Sequence, residues 1–185
     1  MIYPIYIYGS GVLRKEAEDI PADYPGLKEL CEDMFETMYD SDGVGLAAPQ
    51  IGKSIRLFVI DASPFAEDDE PELKDFRKIF INARIYERSG EEVPFNEGCL
   101  SLPGIREDVM RPSKIKIRYM DENFTEHDEE YEGTAARIIQ HEYDHLDGKM
   151  FVDRLSPLRK TLIKSKLTKL SKGNYKASYR CKLVK

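Results

Sequence analysis

The chain of 185 residues has no tryptophan, only three cysteines and three histidines, and no long apolar run. Three widely spaced cysteines do not make a disulfide framework, so a disulfide-stapled fold is excluded and a reducing cytoplasm is expected. No segment has the length and apolarity of a bilayer-spanning helix, so no membrane contact is expected. Residues 1–8 lack a basic region and a cleavage site, and they predict an edge strand instead of a signal peptide. The composition, 34% charged and 41% hydrophobic, predicts one soluble domain, expected to be a monomer.

Acidic residues are absent from the end of the chain. None of the 34 Asp and Glu lies after Asp153, whereas 11 of the 28 Lys and Arg do. The last 32 residues therefore carry +11 and the rest of the chain −17, for a total of −6. Such a segment is either a solvated tail that balances an acidic body or a contact for a polyanion, most often nucleic acid. Charge alone favours neither interpretation.

Two of the three histidines fall in one short motif, His141-Glu142-Tyr143-Asp144-His145. It lies in a predicted helix over residues 134–146, where residues four apart share a face, so both imidazoles can reach one metal ion. Glu142, one step round the helix, can contact a water molecule on that ion. A match of this length also arises by chance in a solvated polar turn. The metal site is favoured by an upstream cysteine and by apolar flanks that predict a packed helix: Ile138, Ile139 and Leu146.

Cys99 lies between Gly98 and Leu100 in a predicted loop or strand. A free cysteine is most often a small buried hydrophobic residue, and Cys31, on the apolar stripe of a predicted helix, fits that description. Beside the histidine motif, Cys99 becomes the third ligand that catalytic metal sites commonly use, with one position left for water. A thiolate ligand makes such a site tolerant of iron or zinc.

The segment from Gly43 to Gln50, Gly-Val-Gly-Leu-Ala-Ala-Pro-Gln, formally matches a dinucleotide-binding fingerprint. That interpretation is rejected because the fingerprint must follow a strand and open a helix, whereas here a helix precedes the glycines and Pro49 soon interrupts the chain after them. A segment without bulky side chains lets another backbone approach closely. The Gln50 amide can donate a hydrogen bond to a developing oxyanion.

Hydrophobic periodicity predicts an α+β domain with mixed or antiparallel sheets around the metal-binding helix and another helix near the C-terminal end. Predicted helices cover residues 25–39, 134–146 and 157–171. The last of them has Ser156 as its N-cap and Pro157 in its first turn. Predicted strands cover residues 1–8, 55–61, 79–84 and 114–120, with a hairpin arm over 124–131. Residues 62–75 predict a surface excursion, and its acidic part, 67–75, is interpreted as a loop insertion.

Three segments stand in a characteristic order: Gly-Val-Gly-Leu-Ala-Ala-Pro-Gln, Glu-Gly-Cys-Leu-Ser and Gln-His-Glu-Tyr-Asp-His. They resemble those of peptide deformylases, which remove the formyl group from the N-terminal methionine of new bacterial or organellar proteins. The resemblance runs from about residue 12 to residue 158. We therefore expect a catalytic domain over 1–156 and a basic helix and tail over 157–185, either as part of the same domain or as an extension of it. The tail beyond Lys172 departs from the family pattern.

The resemblance implies a role for each residue of the site. One divalent ion, usually Fe²⁺ in this family and replaceable by Zn²⁺, Ni²⁺ or Co²⁺, would be held by Cys99, His141 and His145. Glu142 would be the general base and then the proton donor. The oxyanion would be stabilised by Gln50 and the backbone N–H of Leu100.

The resemblance also implies how an N-formyl-Met nascent peptide would bind. Its backbone would pair, as an added strand, with Val44, Gly45 and Gly98. Arg106 would lie near the peptide channel, and Glu97 and Arg111 would form a structural pair beside the site. The pocket for the methionine side chain would be lined by Val44, Phe95, Ala135, Ile138 and the aliphatic part of Arg137.

Two other functions share parts of this pattern. A zinc endopeptidase has the same helix motif, but its third ligand is expected downstream, where the chain has no histidine and only Asp147 and Asp153 as acidic residues. Cys99 upstream favours the deformylase. The basic segment 154–185 also predicts a nucleic-acid or ribosome contact, which is compatible with an enzyme whose substrate emerges from the ribosome.

Overall fold

Seven strands and three α-helices lie along residues 1–185, all of which the computed structural model describes. The strands are β1 (Ile5–Tyr6), β2 (Gly45–Ala47), β3 (Leu57–Asp61), β4 (Arg77–Gly98), β5 (Arg106–Met120), β6 (Glu126–Glu132) and β7 (Cys181–Lys182). The helices are α1 (Leu27–Asp40), α2 (Gly133–Leu146) and α3 (Pro157–Ser171). None of them has the length and apolarity that a membrane span requires. The predicted α+β class is confirmed.

The main sheet is antiparallel, with strand order β2-β3-β4-β5-β6, and a second sheet pairs β1 in parallel with β7. Strands β4 and β5 form one long hairpin whose tip, residues 99–105, contains Cys99. The pairing shifts register at three places between Ile81 and Glu92. Such shifts bend and twist a hairpin. Only residues 77–81 of β4 pair also with β3, whereas the tip of the hairpin lies beside α2, where Cys99 contacts His145.

Both hairpin strands are much longer than predicted, since only 79–84 and 114–120 were expected. Residues 86–94 of β4 are exposed throughout, so they have no apolar alternation. In β5 the predicted buried face of Ile115, Ile117 and Tyr119 continues backwards through Arg111, Val109 and Glu107. Two of those three inward residues are charged, so a hydrophobic pattern does not reveal the strand.

Helix α2 is buried over most of its length and packs on the apolar side chains of β3, β4 and β5. It begins at Gly133, whose φ of +64° suits glycine. Its N-terminus is capped by Glu70, which accepts hydrogen bonds from Thr134 N (3.0 Å) and Thr134 Oγ1 (2.5 Å). A carboxylate is favourable at the positive end of a helix. The predicted surface excursion is therefore tied to the metal-motif helix through Glu70, and its Leu73 is buried.

The other two helices lie close to their predicted bounds. Helix α1 starts at Leu27 and not at residue 25, because Gly26 precedes it in a left-handed conformation with φ of +69°. Cys31 is buried on its apolar face, as predicted. Helix α3 has the predicted N-cap, since Ser156 Oγ accepts a hydrogen bond from Arg159 N (3.3 Å). Of its four leucines, Leu158 and Leu162 are exposed, whereas Leu170 is buried together with Ile163.

The predicted N-terminal strand is shorter than expected. Only Ile5 and Tyr6 have strand geometry, and their partners are Cys181 and Lys182. The two ends of the chain are therefore joined in one small sheet. Sequence patterns give no account of the tail beyond Lys172, which supplies the second strand of this sheet.

Candidate metal centre and substrate cavity

Three segments that are far apart in the sequence meet at a cavity of about 470 Å³. The segment around β2 contributes Val44, Gly45 and Gln50, and the end of the β4–β5 hairpin contributes residues 95–100 and 102–106. Helix α2 contributes Arg137, Ile138, His141 and Glu142. Of the site residues expected from the motifs, all line the cavity except Ala135, His145 and Arg111, which are buried. The volume is in the range of sites that enclose a small ligand.

The thiol of Cys99 and one nitrogen of each motif histidine form a compact donor set. The three donor atoms lie within 4.8 Å of one another. Cys99 Sγ is 3.4 Å from His145 Nε2. Metal bonds of about 2.3 Å to sulfur and about 2.0–2.1 Å to nitrogen separate two donors by about 3.5 Å at a tetrahedral angle. One sulfur and two imidazole nitrogens suit zinc or iron. The donor set therefore fits a single metal ion.

Glu97 orients His141. Its Oε1 lies 2.8 Å from His141 Nδ1, which leaves Nε2 of that ring directed to the donor set. Glu97 also accepts hydrogen bonds from Arg111 Nε (2.7 Å), Arg111 Nη2 (3.0 Å) and Arg137 Nη1 (2.7 Å). Burial opposes its ionisation, but the hydrogen bonds of His141 and Arg111 prevail and hold the pKa of Glu97 well below its usual range. The predicted Glu97–Arg111 pair is thus part of a larger buried cluster.

Asp144 and Arg154 extend this cluster behind the metal donors. Asp144 accepts from Arg111 Nη1 (2.8 Å) and from two nitrogens of Arg154 (2.6 Å each). Burial would raise the pKa of Asp144, but the hydrogen bonds of Arg154 and the charge of Arg111 lower it. Sequence analysis missed this role, although Asp144 lies inside the histidine motif, three positions after His141. On a helix that spacing places the two side chains on one face.

Glu142 and His145 are almost completely buried. Burial raises the pKa of Glu142 to about 7, and a cation beside it would lower that pKa again. Burial lowers the pKa of His145 to about 3, which keeps the imidazole neutral as metal binding requires. Glu142 Oε2 has no hydrogen-bond partner. A buried carboxylate oxygen without a partner is rare in a folded protein, and here it is available to a bound ligand.

Gly45 gives Glu142 its space. A Cβ atom at position 45 would lie 2.6 Å from Glu142 Oε1, closer than real Cβ atoms approach another atom. The glycine-rich segment therefore allows its backbone to lie directly against the carboxylate. The close approach seen here is by a side chain of α2, so the expected approach of another backbone to this segment stays a prediction.

Gln50 contacts the turn that contains Cys99 and Leu100. Gln50 Oε1 accepts a hydrogen bond from Ala47 N (2.9 Å), so Nε2 is directed to the turn. There Nε2 donates to Ser101 Oγ (3.1 Å) and contacts Cys99 Sγ (3.5 Å). The backbone N–H of Leu100 has no acceptor within the chain. Ser101 was not among the expected site residues, although it directly follows Cys99-Leu100.

The arginines expected near the substrate are both engaged by the protein. Arg106 donates to Asn96 Oδ1 (2.8 Å) and Asn96 O (3.0 Å), and its guanidinium covers Gly98, where a Cβ would be 2.4 Å from Nη1. Arg137 directs its guanidinium to Glu97 and to the carbonyl of Val109 (2.9 Å). It therefore supports the buried cluster while its side chain lines the cavity.

The apolar wall of the cavity differs in two positions from the expected pocket. Ala135 lies in the core around α2 and does not line the cavity. Phe65, from the excursion after β3, does line it and packs edge-on against Phe95 at 6.2 Å. The sequence has no periodic signal near Phe65 that would have indicated this.

An α+β fold that places a thiol, an imidazole and a buried carboxylate at the wall of a cavity, with a second imidazole directly behind the thiol, is typical of the class of metal-dependent hydrolases. Comparison with known proteins agrees with this class. The family model of polypeptide deformylase matches residues 2–161. The chain is 54% identical to a peptide deformylase of Christiangramia forsetii over 97% of this chain and 95% of the relative. It is 52% identical to one of Cytophaga hutchinsonii, over 98% of this chain and 97% of the relative.

Solved structures are similar as well. The crystal structure of peptide deformylase from Thermus thermophilus superposes with a TM-score of 0.81 at 42% identity, over 94% of this chain and 99% of that one. A Plasmodium falciparum peptide deformylase in complex with an inhibitor has a TM-score of 0.79 at 36% identity, over 91% of this chain and 99% of that one. The chain belongs to the polypeptide deformylase family. It is a hydrolase that removes the N-formyl group from newly made polypeptides, and the endopeptidase alternative is not supported.

Proposed function

We propose that Cys99, His141 and His145 hold one divalent metal ion and that Glu142 transfers the protons of the deformylation. The observation that carries this proposal is the approach of the three donor atoms to within 4.8 Å. Two further facts support it. Glu97 already orients His141, as partners of metal-bound histidines commonly do, and Glu142 has an unpartnered oxygen.

Each proposed site residue has its own role in the hydrolysis of the formamide bond. When bound, the ion would polarise the formyl carbonyl and lower the pKa of a water molecule. Glu142 accepts a proton from the attacking water and returns it to the leaving nitrogen, so that formate and a free amino terminus are released. The Leu100 N–H and the Gln50 amide donate to the formyl oxygen as negative charge develops on it. Loss of one such donor typically slows a reaction by about 10²–10³-fold.

The substrate backbone binds as an additional strand beside Val44, Gly45 and Gly98. Strand β2 is at the edge of the main sheet, so one of its sides has no partner strand. The methionine side chain enters the apolar part of the cavity, which includes Val44, Phe95 and Ile138. Strand addition supplies affinity through backbone hydrogen bonds, while the pocket selects the side chain.

The working metal is proposed to be Fe²⁺, with Zn²⁺, Ni²⁺ or Co²⁺ as replacements. Ferrous iron and a thiolate ligand are both open to oxidation. Protein purified without oxygen should therefore contain iron and lose activity in air, while zinc-loaded protein should keep its activity. Iron-loaded enzyme that stays fully active after prolonged aeration would contradict this assignment.

The decisive experiment compares formate release from formyl-Met peptides by the wild type and by Glu142→Ala and Glu142→Gln. Both variants should retain the metal and lose activity by at least about 10²-fold, the lower end of general acid–base contributions. Glu130→Ala removes an exposed carboxylate of β6 and should leave the rate unchanged. A metal-replete Glu142→Ala enzyme with wild-type turnover would refute the role of Glu142.

We further propose that residues 157–185 extend the catalytic domain and that the basic segment 154–185 contacts the ribosome in the cytoplasm. Lys160, Lys164, Lys166 and Lys169 are exposed on α3, beside the exposed Leu158 and Leu162. Basic side chains on one helix suit the phosphates of ribosomal RNA. The double variant Lys164→Glu/Lys169→Glu should weaken co-sedimentation with ribosomes at low salt and leave peptide kinetics unchanged. Ribosome binding that is insensitive to salt would contradict an electrostatic contact.

A further inference from the structure

The tail after α3 returns to the active site. Its backbone bonds to the N-terminal segment at three places: Ile5 N to Arg180 O (2.9 Å), Ile7 N to Lys182 O (3.0 Å) and Gly11 N to Val184 O (3.0 Å). Ser10 Oγ accepts a fourth bond from Val184 N (3.1 Å). These contacts hold residues 180–184 against the body of the protein.

Tyr179 lies next to this anchored stretch and reaches the cavity. Its ring lines the cavity and packs against the apolar cluster around α1. Its hydroxyl donates a hydrogen bond to the carbonyl oxygen of Leu100 at 2.7 Å. Leu100 directly follows the metal-binding candidate Cys99, so the tail contacts the turn that carries the proposed catalytic groups.

The backbone of Leu100 has no other hydrogen-bonding partner within the chain. The neighbouring residues are held separately, since Leu102 N donates to Cys99 O (2.9 Å) and Tyr8 N donates to Ser101 O (2.8 Å). The Leu100 N–H itself is free. Cys99 O and the Leu100 N–H belong to one planar peptide unit, which the bond from Leu102 N holds. The next unit contains the Leu100 carbonyl and is held by the Tyr179 hydroxyl. Without that hydroxyl the second unit can turn, and Leu100 is then fixed on one side only.

We infer that Tyr179 is a positioning residue for the deformylase reaction: by bonding the Leu100 carbonyl, it fixes the second of the two peptide units that meet at Leu100 and so keeps the Leu100 N–H in place toward the formyl oxygen. This inference rests on the proposed role of Leu100 as an oxyanion donor. Oxyanion stabilisation requires donors that are placed before the charge develops, so a loosely held donor contributes less. A tail that lies beyond residues 2–161, which the family model matches, thereby becomes part of the active site.

The test uses Tyr179→Phe, which keeps the ring and removes the hydroxyl. Tyr175→Phe is the matched control, because Tyr175 lies in the same tail but outside the cavity and packs near α3. Tyr179→Phe should lower kcat about tenfold, less than the ~10²–10³-fold expected for loss of the donor. KM, metal content and the urea unfolding midpoint should remain close to wild type, and Tyr175→Phe should change none of these quantities.

A second measurement reports on Leu100 directly. Cys99-Leu100 is the only Cys-Leu pair in the chain, so ¹³C-carbonyl cysteine with ¹⁵N leucine labels a single amide. In zinc-loaded protein, Tyr179→Phe should shift or broaden that Leu100 resonance, and Tyr175→Phe should not. An unmoved resonance would overturn the inference alone. A moved resonance with unchanged kcat would refute the donor role of Leu100, and with it the catalytic part of the inference.

Discussion

Two groups of ion pairs on strand β5 differ mainly in their access to water. Arg111 is bonded to Glu97 and Asp144, and all three side chains are at most 4% exposed. Seven residues further along the same strand, Arg118 pairs with Asp128, and these side chains are 57% and 49% exposed. The chemistry of the pairs is alike, but water solvates only the second pair. In the buried group, the charge of each side chain is compensated only by the other charged side chains of the group.

The comparison teaches what each group does for the enzyme. In a buried cluster, removal of one charge leaves its partners uncompensated, which is far more costly than breaking an exposed pair. The buried group includes Glu97, which also holds His141 Nδ1 at 2.8 Å. Stability of the fold and orientation of a proposed metal ligand therefore depend on the same charges, whereas the exposed pair affects neither.

The largest effect is expected for Arg111→Met. Methionine retains much of the volume but leaves Glu97 and Asp144 without their shared cation, although Arg137 and Arg154 remain. The free energy of unfolding should fall by about 3–5 kcal/mol, the usual cost of breaking a buried ion pair. Urea unfolding should be measured with and without zinc, because a bound metal adds its own stabilisation. If the free energy of unfolding fell by less than about 1 kcal/mol, the charges of Glu97 and Asp144 would be compensated without Arg111, and the prediction would be wrong.

An intermediate effect is expected for Glu97→Gln, which keeps the shape but removes the carboxylate beside His141. Substitution of such a partner typically weakens metal binding by about 10–100-fold. The zinc affinity is measured by titrating zinc-loaded protein with a chelator and recording how much zinc the protein releases. Glu107→Gln is the matched control, since Glu107 is also buried on the hairpin but pairs with Arg159 and not with a histidine. Equal zinc affinities for the two variants would contradict the prediction that the buried cluster supports metal binding through Glu97.

The smallest effect is expected for Arg118→Met, the same substitution made at the exposed position. Water solvates the Asp128 carboxylate once the guanidinium is gone, so neither the urea midpoint nor zinc affinity should change measurably. A destabilisation as large as that of Arg111→Met would show that burial does not distinguish the two pairs.

Much of the site was predictable because its chemistry is local. His141, Glu142 and His145 lie within one helix, so their spacing in the sequence sets their relative positions. The start of α2 was predicted to within one residue. The hairpin was harder to predict. Its inward residues Glu107 and Arg111 are charged, and residues 86–94 are exposed, so neither strand half has the alternation that indicates a strand.

Contacts of the chain ends were not predictable at all. Tyr179 is separated from Leu100 by 79 positions, and nothing in the residues around it indicates a partner. The same holds for Ile5 and Tyr6, which were predicted as an edge strand but pair with the tail. A strand pattern shows that backbone groups need partners; it does not say which segment supplies them.

Sequence alone determined that two imidazoles and a carboxylate share one face of a helix, because the helical period sets that geometry over five residues. It also determined that the last 32 residues are basic, because the net charge of a segment follows from its composition and does not depend on the fold. Only the tertiary structure decided that Cys99 lies 3.4 Å from His145 and that Tyr179 bonds the next residue of the same turn. Those distances depend on how a bent hairpin and a returning tail pack against α2 and the N-terminal segment, and packing between distant segments leaves no periodic trace in the chain.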